Sequence, residues 1–276
     1  MRSVICALAL LALPTSAFAG DFDILRGPVS VDWSGFYAGG QIGADFDRAD
    51  FTSVATPYIN TISTLDANFN GIPLNQFPRL GSLNTTKASY GFYVGYNWQS
   101  DSAVVGLELN ANMSSMSAST SDIQIHDYAL TVSQVMYDEQ YKVTTNAAAS
   151  IRDYATMRGR FGYAVGQFLP YAFGGLSIAQ VNASSSVDVS YGTAPGTAPS
   201  IPPGVTPPPH APGADWNLSD NNDGKYYFGF DAGVGLQWLL IPHVFLRGEL
   251  EYIHFGSPDA IRLNAASARA GAGVQF

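Results

Sequence analysis

The side chains that could carry chemistry in this chain are charged residues at alternate positions of extended segments. Around Asp231, for example, the carboxylate shares its parity with small residues, while large apolar residues take the other parity. Successive side chains of a strand point to opposite faces, so this alternation predicts strands with one apolar and one polar face. The predicted charged set on the polar face is Asp45, Glu108, Arg158, Arg160, Asp231, Arg247, Glu249, Glu251 and Arg269. Both signs are present, which favours arginine–carboxylate ion pairing.

Catalytic chemistry is not indicated by the remaining residues. His126 and His210 lie in predicted loops, His243 lies at a turn and His254 ends a strand. No serine stands in a G-x-S-x-G context, and no histidine pair has metal-ligand spacing. The glycine-rich stretches GGQIG and GAGVQF lie in predicted strands and no helix follows them. A phosphate-binding loop, by contrast, requires a helix directly after it. We therefore predict no enzyme, no cofactor and no metal site.

Eight alternating segments position the charged set. They are residues 33–47, 87–99, 103–115, 153–168, 171–181, 227–238, 244–252 and 266–276. Several match the roughly 9–11 residues that cross a bilayer as a tilted strand. In the fifth segment, the parity change at Gly174-Gly175 predicts a bulge. The fold predicted is all-β: an eight-stranded antiparallel up-and-down transmembrane β-barrel, with long extracellular loops.

The connections alternate between short and long. Short turns follow the second, fourth and sixth segments, and the predicted loops span about 48–86, 117–146, 184–223 and 257–262, although part of 117–146 could extend the strands beyond the membrane. Short turns of bacterial outer-membrane barrels face the periplasm. Aromatic residues near that end predict an interfacial girdle of Trp33, Trp98, Tyr171 and Trp238, together with Phe168 and Phe276.

Composition and the N-terminal segment agree with export. Residues 1–19 have a charged start, an apolar stretch and an A-x-A site, which predicts a signal peptide. Residues 20–32 are then a periplasmic lead-in and residues 33–276 the barrel. The one cysteine falls in the predicted signal, so a disulfide framework is excluded. The net charge of −9 argues against nucleic acid as a partner.

Two questions of function stay open at this level. The inward charges are either the polar core of a filled barrel or a narrow conductive path, because an eight-stranded barrel is just wide enough for side chains to fill. The long loops are either solvated connections or contacts for host or surface ligands. A soluble lipocalin-like barrel is the alternative fold, but it would require a polar exterior.

The strand sequences resemble a known family. The segments WSGFYAGGQIG, MRGRFGYAVGQFLPYAFGGLSIA, FDAGVGLQWLL, FLRGELEYIHFG and RAGAGVQF are similar to small porin-like outer-membrane β-barrel proteins of alphaproteobacteria, which include surface antigens. The resemblance implies an outer-membrane location, with roles in envelope integrity and surface interaction. It also implies membrane lipid and the barrel-assembly machinery as partners, with Phe276 as the assembly signal. The proline-rich segment near residue 200 departs from the compact pattern of the family.

Overall fold

A computed structural model describes residues 31–65, 74–76, 78–132, 135–193, 203, 215–256 and 260–276. Its eight strands form one closed antiparallel ring in sequence order, with the first strand also paired to the last. The strands are β1 Gly35–Asp50, β2 Ser82–Ser100, β3 Ala103–Val132, β4 Val135–Tyr163, β5 Phe168–Thr193, β6 Asp215–Ile241, β7 Val244–Phe255 and β8 Arg262–Gln275. The predicted eight-stranded up-and-down barrel is confirmed.

Three short turns join strands at one end of the barrel. Ser100 pairs with Ala103 across the first turn, and Ile241 pairs with Val244 across another. Asp101 and His243 adopt the left-handed backbone conformation within these two turns. The turns follow β2, β4 and β6, where the sequence predicts them.

The two faces of the wall differ as the alternation predicts. On β1, Phe36 and Ile42 are 62% and 69% exposed, while Tyr37 and Gln41 between them are buried. On β6 and β7, Val234 and Leu250 are opposite each other in register and both face outward. The outer wall is therefore apolar, and the polar residues line the interior.

Four strands continue far beyond the others. The alternative for 117–146, an extension of the strands, is therefore confirmed, and the predicted loop 184–223 is wrong at both of its ends. The predicted loop 117–146 is largely the paired upper part of β3 and β4, and residues 184–193 and 215–223 of the predicted loop 184–223 belong to β5 and β6. We call the upper parts of these strands the extension: residues 116–132 of β3, 135–151 of β4, 183–193 of β5 and 215–222 of β6. The serine, threonine and asparagine residues indicated a loop, but many of them, such as Ser119 and Ser184, occupy a sheet face exposed to water, whereas the opposite face carries residues such as Val187 and Val189. Except for residue 203, the proline-rich stretch 194–214 lies outside the described residues.

The predicted loop 48–86 is also largely structured. It contains the helix α1 Ala55–Leu65 and a short 3-10 helix, Leu74–Gln76. Helix α1 buries Ile59 and Ile62 at helical spacing against the inner face of the extension, beside Tyr141 and Val189. Of the predicted loop 257–262, residues 257–259 lie outside the described part and Arg262 begins β8.

The predicted bulge at Gly174-Gly175 is wrong. These residues pair without a break with Gly159 and Arg158 of β4, and β5 keeps one parity along its length. The register shifts instead lie higher, between Met113 and Met116 on β3, between Ile151 and Tyr154 on β4, and between Asn222 and Lys225 on β6, opposite Val181 and Ala183 of β5. A bulge bends and twists a sheet, so these shifts mark the junction between the closed barrel and the extension.

No helix among the described residues is long and apolar enough to cross a membrane. The predicted signal peptide, residues 1–19, and most of the predicted lead-in lie outside the described part of the chain.

Candidate functional site

Glu108 lies at the centre of the charged side chains inside the barrel. Its Oε1 accepts hydrogen bonds from Arg158 Nε at 3.0 Å and Nη2 at 2.6 Å, and its Oε2 accepts from Arg160 Nη1 at 3.0 Å and Arg247 Nη1 at 2.9 Å. These partners come from β4 and from β7, on the other side of the ring. Glu108 therefore ties three arginines together across the lumen.

Three further carboxylates extend this network. Glu249 lies 2.7 Å from Arg158 Nη2, and Glu251 lies 3.3 Å from Arg158 Nη1. Glu251 also pairs with Arg269, whose Nη2 lies 3.2 Å from Asp45 Oδ1. The ion-paired network within the described residues thus contains four arginines and four carboxylates. Because removing an ion from water is costly, buried charges need this kind of pairing and hydrogen bonding.

Aromatic rings complete the surroundings of the arginines. The guanidinium of Arg158 lies 3.9 Å from the ring centroid of Phe173, that of Arg160 lies 3.9 Å from Tyr171, and that of Arg247 lies 3.3 Å from Tyr93. Such cation–π contacts are strongest where water is excluded. Hydroxyl groups also take part: Tyr37 donates to Glu108 at 2.8 Å, and Tyr171 donates to Glu249 at 2.6 Å.

Glycines on the inner face leave room for these rings. A Cβ atom at Gly95 would collide with the phenol of Tyr37, and one at Gly235 would collide with the ring of Tyr171. The small residues that alternate with apolar ones in the strand sequences therefore leave the space that the lumenal aromatic rings occupy.

Apolar layers lie on both sides of the charged network. Towards the short turns, a layer contains Trp33, Tyr93, Leu169 and Phe245. Towards the extension, a second layer comprises Ala49, Phe51, Val54, Leu80, Met116, Ala118, Ala147, Ala149, Ile151, Tyr154, Ala179, Val181, Ala183, Ile253, Phe255, Ile261, Leu263 and Ala265. The lumen is thus filled in three layers, with the ion-paired network in the middle one, and the buried carboxylate of Asp47 lies in register with Ala265 of the second apolar layer.

Eight of the nine charged residues singled out from the sequence meet in this network. Asp231 does not: it is buried, its Oδ1 accepts a 3.4 Å hydrogen bond from Ser177, and no ion pair of the described residues includes it. Sequence reasoning missed the participation of Tyr171 and of Tyr154, which receives a hydrogen bond from Arg269. The unbroken alternation of β5 was a signal that could have identified Tyr171.

The predicted aromatic girdle of Trp33, Trp98, Tyr171 and Trp238 is wrong for two of its four members. Trp98 and Trp238 face outward, 53% and 41% exposed, and Trp238 stacks on Phe168. Trp33 and Tyr171 are inside the barrel, 1% and 5% exposed, because they share the inward parity of Tyr37 and Leu169.

The C-terminal Phe276 is outward-facing, and its backbone N–H donates to Phe36 at 2.8 Å. Its role as an assembly signal stays a prediction. No group of three or more His, Cys, Asp or Glu side chains in the described part of the chain is arranged to hold a metal ion.

Comparison with known proteins identifies the family. The family model of the outer membrane protein beta-barrel domain matches residues 5–276. The chain belongs to this family. It is accordingly an integral protein of the Gram-negative outer membrane, as the predicted location and the resemblance indicated.

Individual relatives are distant. The 25 kDa outer-membrane immunogenic protein of Brucella ovis is 20% identical over 281 residues, covering 99% of this chain and 96% of the relative. The crystal structure of Neisserial surface protein A is 14% identical with a TM-score of 0.36, covering 88% of this chain and 98% of that one. Ail, the attachment invasion locus protein of Yersinia pestis, is 11% identical with a TM-score of 0.28, covering 88% and 99%.

Proposed function

We propose that this protein is a closed, non-catalytic structural barrel of the outer membrane that presents the extension to the exterior as a contact surface. The observation that carries the proposal is the three-layered lumen. An ion-conducting path needs a continuous hydrated route, and apolar constrictions block such routes by excluding water. Here apolar layers lie above and below a network whose carboxylates and arginines are already paired with one another.

The charged layer then stabilises the barrel wall. Glu108 on β3 and Arg247 on β7 connect opposite sides of the ring, and Arg269 on β8 connects to Asp45 on β1. Direct hydrogen bonds to charged groups contribute more than neutral ones in a low-dielectric interior. A barrel braced in this way supports envelope integrity without any transport.

The extension supplies the surface for interaction. Beyond the last pairing of β2 with β3, residues 116–132 of β3 run for roughly 55 Å at about 3.4 Å per residue. Ile123 and Ile125 are 56% and 53% exposed on the outer face of this edge strand. Exposed apolar residues on an open strand edge favour association with another chain. The immunogenic character in the name of the Brucella ovis relative agrees with surface display.

A conductance measurement tests the closed barrel. The refolded protein is inserted into a planar bilayer, and insertion is verified by the heat-modifiable gel mobility of the same preparation. We expect no reproducible current steps. Steady unitary steps from verified insertions would refute closure and would support the second candidate, a small pore in which Arg158, Arg160 and Arg247 act as gate residues.

A matched variant locates any barrier to ions. Replacing residues 55–76 with a short flexible linker removes α1 but keeps Phe51, Val54 and Leu80 of the second apolar layer. If this variant carries no current, the barrel interior itself closes the lumen. Current that appears only after the replacement would show that α1, rather than the charged layer, closes the lumen.

The absence of catalysis is tested with the same preparation. Phospholipid or lipid A vesicles are incubated with the protein, and released fatty acid is measured over time. We expect release equal to that from protein-free vesicles; release proportional to protein concentration would contradict the proposal.

A further inference from the structure

The outward-facing side chains change from apolar to polar along one line across β7, β8 and β1. Tyr252, Ala266 and Phe46 are side by side in register and face outward. The next outward row, one step closer to the extracellular end, contains His254, Asn264 and Arg48. Below this line all three strands present apolar or aromatic side chains, and above it they present polar or charged ones. The line therefore marks the edge of the lipid-facing surface on this side of the barrel.

Two arginines lie just above this edge. Arg48 and Arg262 are both exposed on the outer face of adjacent strands, and Arg262 pairs in register with Asp50, two residues beyond Arg48. Diagonal neighbours of this kind lie roughly 7–8 Å apart. Both guanidinium groups can therefore reach one small anion.

The carboxylate that the structure describes between them, Asp50, is engaged elsewhere. Asp50 accepts hydrogen bonds from the backbone N–H of Thr52 at 3.0 Å and from its hydroxyl at 2.8 Å. These hydrogen bonds, together with Arg262 and Arg48 nearby, hold the pKa of Asp50 below its ordinary value, so it stays ionised. Among the residues that the structure describes here, two cations against one anion leave the surface positive.

Most of the hydrogen-bonding capacity of the two arginines is free. Arg48 donates one hydrogen bond, from Nη2 to Ser82 at 3.1 Å, and Arg262 donates none to another side chain within the described residues. A guanidinium carries five N–H donors in a geometry suited to phosphate. Nearby, Asn264 Oδ1 accepts a hydrogen bond from the Tyr252 hydroxyl at 3.1 Å and lies 2.6 Å from His254 Nδ1. These contacts hold the polar side chain of Asn264 in place beside the arginines.

We infer that Arg48 and Arg262 form a binding site for the phosphorylated head group of an outer-leaflet lipid, with its acyl chains against Phe46 and Tyr252. The location selects this ligand, because the site continues directly into the lipid-facing surface. A lipid bound there satisfies the cations and covers the aromatic residues at the same time. Phe46 and Tyr252 are each 51% exposed, so both rings are available to acyl chains.

Lipid binding to the detergent-solubilised, folded protein tests the inference. Bound lipid A is counted by native mass spectrometry across a concentration series, for the wild type and for Arg48→Gln/Arg262→Gln. A basic residue near an anionic surface contributes about 1 kcal/mol, so losing two should weaken apparent affinity by roughly 30-fold. Arg152→Gln, an exposed arginine on β4 away from the site, is the matched control and should change affinity less than about twofold.

Three results would overturn the inference. Equal losses in the double variant and Arg152→Gln would mean that general charge attraction accounts for binding. Equal affinity of the wild type for dephosphorylated lipid A would mean that acyl chains alone are recognised. Displacement of lipid A by millimolar inorganic phosphate would indicate a free-phosphate site. Arg48→Lys/Arg262→Lys keeps both charges and should retain most of the binding, and heat-modifiable gel mobility checks that every variant is folded.

Discussion

Replacing Glu108 by glutamine removes the negative charge on which three buried arginines converge, while leaving the shape of the side chain almost unchanged. Arg158 keeps Glu249 and Glu251 as ion-pair partners, and Arg247 keeps Glu249 at 3.4 Å. Arg160 keeps none, since Glu108 is its one ion-pair partner within the described residues. The main cost is therefore that of a single uncompensated buried cation.

The magnitude follows from that count. Removing one partner of a buried ion pair destabilises proteins by about 3–5 kcal/mol. We expect Glu108→Gln to lower the free energy of unfolding by this amount, rather than by three times as much. Glu108→Gln/Arg160→Gln restores the charge balance and should recover part of the loss. Asp231→Asn is the matched control, because it makes the same chemical change at a buried carboxylate outside the ion pairs and should cost less than about 1 kcal/mol.

The assay is equilibrium unfolding in urea with the protein in lipid vesicles, read by the folded fraction on cold gels and by tryptophan fluorescence. A loss for Glu108→Gln that matches the loss for Asp231→Asn would refute the reasoning, because it would mean that the arginines do not depend on Glu108. A double variant less stable than the single one would also contradict it.

Two further predictions concern the outer wall and the helix. Leu250→Arg should lower the free energy of unfolding by roughly 2–4 kcal/mol, because a cation on the lipid face near the membrane midplane is poorly solvated. Ser186→Arg on the water-exposed face of the extension should lower it by less than about 0.5 kcal/mol. Urea unfolding in vesicles measures both losses, and equal losses would mean that the outward assignment of Leu250 is wrong. Ile62→Asp should detach α1 from the extension and expose residues near the helix to protease, while Thr61→Asp on the exposed side of α1 should not. Limited proteolysis followed by mass spectrometry measures the exposure. Equal protection of both variants would refute the docking of α1 against the extension.

Much of the barrel was predictable from the sequence because each strand separates two different environments. Lipid on one side and a packed lumen on the other force the alternation, so Phe36 and Tyr37 could be assigned to opposite faces from parity alone. The same rule places Trp33 and Tyr171 inside. An aromatic side chain near the short turns does not by itself indicate an interfacial position, because parity decides which face it occupies.

The extension and α1 were harder to predict. Where both faces of a sheet meet either water or other protein, the apolar–polar contrast weakens and serine-rich strands resemble loops. The alternation of Val187, Val189 and Tyr191 with polar residues was a detectable signal. For α1, the spacing of Ile59 and Ile62 indicates a helix, but its docking against Tyr141 depends on a surface formed by strands distant in sequence.

The connections within the charged layer also constrain how the barrel forms. Glu108 and Arg247 are separated by 139 residues in the chain, and Asp45 and Arg269 by 224. The last of these contacts can form only when the eighth strand reaches the first. Until that moment an open sheet carries unpaired ions that hydrocarbon would not solvate. Entry into the membrane and closure of the ring must therefore be coupled, and half-inserted intermediates are penalised by the same residues that later hold the finished wall together.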